Sequence, residues 1–440
     1  MRMLRSTITL AHSLALLVIA GFITPNTVIR AAQLNGEKVS IHHVESSNCK
    51  ECHKKIYGQW KGSMHANSTA LKDPIHGAFY QQVIGDPLKE GLRKNGKYPV
   101  CLQCHAPNAA KDGKTKLDSK AAYSEGINCV ACHTLKKFKG IKSPSSKMQL
   151  GISAYETSTI LQGANAFLHE QGEAGDKVRA AIEESGDLNP HLGKDNQGNS
   201  YLSTEDSKAL DLPMEKNTLF QTSNVCMGCH ERRNNFLGVP LCATGDEFIA
   251  DKSNETCQSC HMPVNDGVMD HSMEGGHSVA MLRRSIRLDI SSVSKGDKLA
   301  VEVTLKNNQP HNVPTAAPFR NMYIKVTALA KDGSVVWRNF EKHPMKEDPK
   351  SYFYYHLADD EGNLATPPKA TQVVADSRLR AYEKRNIVYE MPLKGLYSVR
   401  AELYYNLLWP GLVKKLNHLP DKLKSAKRIA WGETVIGCIQ

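Results

Sequence analysis

Cys49-Lys50-Glu51-Cys52-His53 is the first of five copies of one spacing. The others are Cys101-Leu102-Gln103-Cys104-His105, Cys129-Val130-Ala131-Cys132-His133, Cys226-Met227-Gly228-Cys229-His230 and Cys257-Gln258-Ser259-Cys260-His261. The chain has 440 residues with 12 Cys and 18 His, for which random placement gives about 0.01 such pentapeptides. Two thiols three positions apart can add to the two vinyl groups along one edge of a haem. The histidine that follows is then carried beneath the porphyrin and binds iron from one face. Structural zinc combines two C-x-x-C knuckles per metal and does not need a histidine after each. A disulfide framework would not need the histidines at all. The motifs therefore imply five c-type haems, with Cys49, Cys52, Cys101, Cys104, Cys129, Cys132, Cys226, Cys229, Cys257 and Cys260 as attachment points. His53, His105, His133, His230 and His261 are the proximal iron ligands in this reading.

Outward from the motifs, composition bounds the rest. Hydrophobic residues make up 40% and charged residues 23% of the chain, which excludes collagen-like and wholly disordered material. The net charge of +11 invites a nucleic-acid reading, but five haems bring about ten propionate charges and cancel it. No nucleic-acid partner is expected. Lysine runs at 111–116 and 136–142 read as solvated loops or as docking points for an acidic redox partner. Arg2 and Arg5 precede an apolar run from Leu10 to Ile23 and a small-residue cleavage site at Ala31-Ala32. This layout predicts a signal peptide over 1–32 and a periplasmic or extracellular protein. Membrane attachment follows only if that segment stays uncleaved.

One axial histidine leaves the other face of each iron open, so further histidines are candidate distal ligands. Ile56, Trp60 and Met64 form an apolar helical stripe after His53. His65, twelve residues on, lies about 18 Å away along a continuous helix and should serve a neighbouring haem. His271 and His277 flank a Gly-containing loop beyond the fifth motif, and His169 lies in the long gap between motifs three and four. His311 stands in Asn307-Asn308-Gln309-Pro310-His311-Asn312-Val313-Pro314-Thr315 and is expected to reach across to a haem. His191, His76, His42 and His43 are reserves. The short gaps between motifs two and three, and between four and five, suggest two close haem pairs.

The segment from Asn48 to His133 resembles the multihaem cytochrome c family that contains the tetrahaem electron carrier of ammonia-oxidising bacteria. The matching features are Cys49–His53 with Trp60 and Met64-His65-Ala66 downstream, the motif at Cys101, and Gly126-Ile127-Asn128 leading into Cys129–His133. The resemblance implies electron transfer through c-type haem, with His65 as a distal ligand. The His-x-x-Pro-Thr loop at His311, and the Met262-Pro263 extension of the fifth motif, are similar to other exported multihaem cytochromes. A fifth haem and a long C-terminal extension are departures from the tetrahaem pattern.

After His277 the pattern changes to period two: Ile286, Leu288, Ile290; Leu299 to Leu305; Met322 to Ala328; Tyr397 to Tyr405. Asp332-Gly333 predicts a hairpin turn. The expected fold class is α+β and multidomain: a mainly helical and loop pentahaem cytochrome c domain over 33–281, then an antiparallel Ig-like β-sandwich over 282–406. A tail over 407–440 should pack back on the haem domain, and Ser351 to Thr371 reads as a long loop. Cys242 and Cys438 either pair in a disulfide or remain free thiols.

Three functions compete. The first is an exported carrier passing single electrons through five haems to redox partner proteins. The second is a multihaem oxidoreductase acting on a small nitrogen or sulfur compound at one five-coordinate haem. The third is a homo-oligomeric haem filament or a subunit of a larger respiratory complex. No catalytic residue is assigned, and whether the chain is an enzyme stays open at this stage, with a carrier preferred.

Overall fold

The computed structural model describes residues 32–34, 37–50, 52–164, 177, 180, 191 and 212–436. All of the expected signal segment but Ala32, together with His169 and Cys438, lies outside the described residues. Among the described residues no helix is long and apolar enough to cross a membrane.

The motif-bearing part is assembled from short elements. Its longest described helices are Lys54–Gly62 and Pro74–Val83, and four motifs lie on or against turns of helix at Leu102–His105, Cys129–His133, Asn224–His230 and Cys257–His261. Side chains rather than helix length fix these turns. Asn128 accepts a hydrogen bond from Ala131 N (2.9 Å) and Thr256 one from Ser259 N (3.3 Å), capping the third and fifth motifs. Buried side chains there form several small clusters, such as Tyr80, Leu102, Leu117 and Tyr123, or Leu135, Ile152, Ala154 and Tyr155. Trp60 donates to Ile127 O (2.8 Å), and Ile127 N donates to His65 O (3.0 Å). Gly126, at φ +71°, lies so close that a Cβ would stand 2.3 Å from His65 O, so only glycine fits here.

Nine strands follow among the described residues. The first sheet holds β1 (Ile286–Lys295), β2 (Lys298–Asn307) and β7 (Lys384–Pro392) in the order β7-β2-β1. The second holds β3 (Asn321–Leu329), β4 (Val335–Arg338), β5 (Tyr352–Ala358), β6 (Gln372–Asp376), β8 (Ser398–Asn406) and β9 (Lys427–Val435). Their order is β6-β5-β3-β8-β9, with β4 on β3, and all pairings are antiparallel. Alternation decides which side chains meet: Val301, Val303 and Leu305 of β2 share one core with Met322, Ile324 and Val326 of β3 and Val399, Ala401 and Leu403 of β8. Asp332 Oδ1 accepts from Ser334 N (2.9 Å) in the turn joining β3 to β4.

Two expectations are corrected. Residues 352–358 form a strand, not a loop; its aromatic run is buried on both faces at Tyr352 and Phe353, so it shows no alternation. The strand-bearing part does not stop at residue 406, because the described residues of the expected tail contribute a further strand, β9, to its second sheet. Leu407, Leu408, Leu412, Leu419, Leu423 and Ile429 join the core between the sheets, and β9 pairs with β8. A Cβ on Gly432 of β9 would stand 3.1 Å from Ile290 Cγ2 and 3.2 Å from Leu288 Cδ2, which brings β9 close over β1.

Candidate haem centres

The motif histidines are half-buried or, at His53 and His230, exposed, and most have one ring nitrogen committed. His133 Nδ1 bonds Gln162 O (2.8 Å), His105 Nδ1 bonds Ser68 O (2.9 Å) and His261 Nδ1 bonds Glu274 O (2.6 Å). A carbonyl can only accept, so each Nδ1 carries the proton and Nε2 keeps its lone pair for a metal. The same device recurs at His191 with Leu212 O (2.8 Å), His271 with Met269 O (2.7 Å) and His311 with Asn312 O (2.9 Å). Burial pulls His65 down to about 3, and His133 and His230 to about 4, which keeps these imidazoles neutral, as ligation requires.

Geometry then tests whether a haem iron fits. With metal–imidazole bonds of about 2 Å and a ring radius of about 1.2 Å, two imidazoles on opposite faces of one metal have centroids about 6.3 Å apart. Four pairs meet this value: His53–His191 at 5.9 Å, His65–His230 at 6.1 Å, His133–His271 at 6.4 Å and His261–His311 at 6.4 Å. Each joins one motif histidine to one histidine from elsewhere in the chain. The residues present fit c-type haem: thiols spaced for the porphyrin edge, imidazoles spaced for its iron.

The second motif is different. The ring nearest His105 is that of His76, with centroids 3.9 Å apart, too close for a metal between them. Both rings place Nδ1 on the same Ser68 carbonyl (2.9 Å each), so they lie side by side. His76 Nε2 is buried without a partner. Arg233 is also here, donating from Nη2 to Cys104 Sγ (2.7 Å).

The remaining candidates stand apart from these pairs. His42 and His43 are hydrogen-bonded to Asp112. His277 lies near Arg320, Lys427 and Lys422, and burial is the main influence lowering its pKa to about 4. Cys242 is a free thiol beside Arg233. The motif thiols make three mutual contacts: Cys49 with Cys129, Cys104 with Cys229, and Cys226 with Cys257. The fourth and fifth motifs thus adjoin, as their short gap suggests, whereas the third meets the first across a longer one.

His311 depends on a clamp that sequence reading missed. Glu247, on the helix Thr244–Asp251, accepts hydrogen bonds from Arg378 Nη1 (2.8 Å), Thr315 Oγ1 (2.6 Å) and Asn312 N (3.2 Å). Thr244 and Thr315 hydroxyls meet at 2.9 Å, and the Phe79 and Phe319 rings stack at 5.3 Å. These contacts hold the β2–β3 loop against the helices Thr244–Asp251 and Pro74–Val83. No short motif marks them, because each partner is distant in sequence.

Residues 48–134 match the family described as cytochrome c554 and c-prime. No curated protein matches the chain. Among solved structures, a penta-heme cytochrome c552 from Thermochromatium tepidum is 51% identical, with a TM-score of 0.82, and the match covers 90% of this chain and 100% of that one. Motif spacing, imidazole geometry and this likeness agree that the chain belongs to the multihaem c-type cytochromes.

Proposed function

We propose that this cytochrome is an exported electron carrier with five haems. His53 with His191, His65 with His230, His133 with His271, and His261 with His311 would hold four irons from both sides, and His105 the fifth. Bound haem supplies one-electron redox chemistry; the chain sets each potential through ligand identity, burial and neighbouring charge. The observation that carries this reading is the set of four imidazole pairs at 5.9–6.4 Å. Paired imidazoles would leave those four irons no position for a substrate, so they would serve to pass electrons. The nine strands would form a separate domain, Ig-like in outline, whose work is to present His311 and offer a docking face to redox partner proteins. Pyridine haemochrome absorbance for five haems per chain, with electron paramagnetic resonance dominated by low-spin signals, is the expected result. Fewer haems, or mostly high-spin iron, would defeat the proposal.

A second reading, chemistry on a small nitrogen or sulfur compound, is favoured by one observation. His76 and His105 stand 3.9 Å apart on the same carbonyl, which leaves His105 without an opposing imidazole among the ring contacts of the described residues. The Arg233 guanidinium would attract an anion to that site. A high-spin signal that shifts on adding nitrite, hydroxylamine or sulfite supports this reading; a spectrum indifferent to all three removes it.

A further inference from the structure

Three side chains outside the haem centres converge on one carboxylate. His42 Nε2 lies 2.7 Å from Asp112 Oδ1 and His43 Nε2 lies 2.5 Å from Asp112 Oδ2. The Tyr123 hydroxyl donates to the same Oδ2 and stands 3.5 Å from His43 Nε2. The ligand atoms of His42, His43 and Asp112 all fall within 4.8 Å of one another. All three side chains are half-buried, with 18%, 22% and 23% of their surface exposed, so an ion could enter from solvent and still lose most of its water. Ser40 Oγ bonds His42 Nδ1 (2.8 Å), which leaves His42 Nε2 as the nitrogen that faces the carboxylate.

We propose that His42, His43 and Asp112, with Tyr123 beside them, form a binding site for one divalent first-row transition ion of the zinc class. Two imidazoles and one carboxylate are a donor set that suits zinc, copper or nickel better than the all-oxygen preference of calcium or magnesium. With metal–ligand bonds of about 2.0–2.2 Å, donors on a tetrahedral ion stand about 3.3 Å apart. The present 2.5 and 2.7 Å separations therefore need to open by less than an ångström, and the side chains have that freedom at a half-buried site. The fourth position would be taken by water or by the Tyr123 phenol. His42 and His43 belong to the turn Ile41–His43, whereas Asp112 follows the helix Pro107–Lys111 and Tyr123 lies on Ala121–Ser124. A bound ion would thus pin the start of the described chain to the segment between the second and third motifs. This site is independent of how the haem irons are ligated.

The test uses purified holoprotein, stripped with a chelator, incubated with zinc chloride, desalted and assayed for zinc and iron by mass spectrometry. About one zinc per chain should remain, and the thermal midpoint should rise when zinc is added. Asp112→Asn and His43→Gln should each weaken retention at least tenfold and abolish the zinc-dependent rise, with the iron content and visible spectrum unchanged. His42→Ala provides a third variant should Asp112→Asn fail to fold. Zinc absent from the wild-type chain, or retained equally by the variants, overturns the proposal and leaves the cluster as a carboxylate hydrogen-bonded to two imidazoles.

Discussion

The motif-bearing residues before 286 and the strands after it fold by different means. In the sheets, side chains alone fill the core: Val301, Val303, Leu305, Met322, Ile324 and Val326 are at most barely exposed and belong to one continuous cluster. In the motif-bearing part the elements are a few residues long, and the apolar clusters number only a handful of side chains each. The lesson is that one half carries its own interior in its sequence, while the other is shaped around a cofactor, and should depend on it for order.

Removing the cofactor should therefore break the first half most severely. Replacing Cys226 and Cys229 by Ala deletes the motif that touches both the second and the fifth. We expect loss of ordered holoprotein, read as collapse of the visible circular dichroism. A stable four-haem product with an unaltered melt would contradict the contrast. Within the sheets, Phe353→Ala empties a buried position and should cost about 3–5 kcal/mol, measured by thermal or denaturant unfolding with haem spectra nearly unchanged below the transition. At the junction, Glu247→Ala leaves the nearly buried Arg378 with only Asp376 as an acidic partner, a loss of about 1–3 kcal/mol. Because Asn312 and Thr315 lose their acceptor too, one low-spin haem signal should change, which Phe353→Ala should not cause. A smaller effect is expected from pH. The unfolded chain protonates His277 near 6.5, but in the fold burial holds its pKa at about 4. Stability should thus be intact above pH 6.5 and fall as pH drops toward 4, and His277→Gln should flatten that slope. The smallest effect belongs to Val374→Lys on the exposed strand β6, within about 0.5 kcal/mol.

How much of this could be read in advance follows the same division. Strands β1, β2, β3 and β8 announced themselves by alternation, since each shows one face to the core. β5 hid because Tyr352 and Phe353 are both buried, and β9 because Lys427-Arg428-Ile429-Ala430-Trp431 carries few buried side chains. The CxxCH residues were legible outright, their chemistry being local. The histidines facing them are legible only as a set of candidates, in which His65, His271 and His311 stand on a par with His169 and His277, and His191 is a reserve. Which ring meets which is decided by tertiary placement, and no local spacing encodes it. Asp112 escaped notice for the same reason, as its imidazole partners lie about 70 residues away.

His311 stands on the loop between β2 and β3, anchored through Thr315 and Asn312 to Glu247. Any loosening of the strands would draw this imidazole away from His261, and the visible absorption of that centre would register the movement before the sheets melt. With a haem held between them as proposed, the protein would contain its own optical gauge of mechanical integrity, readable without a label.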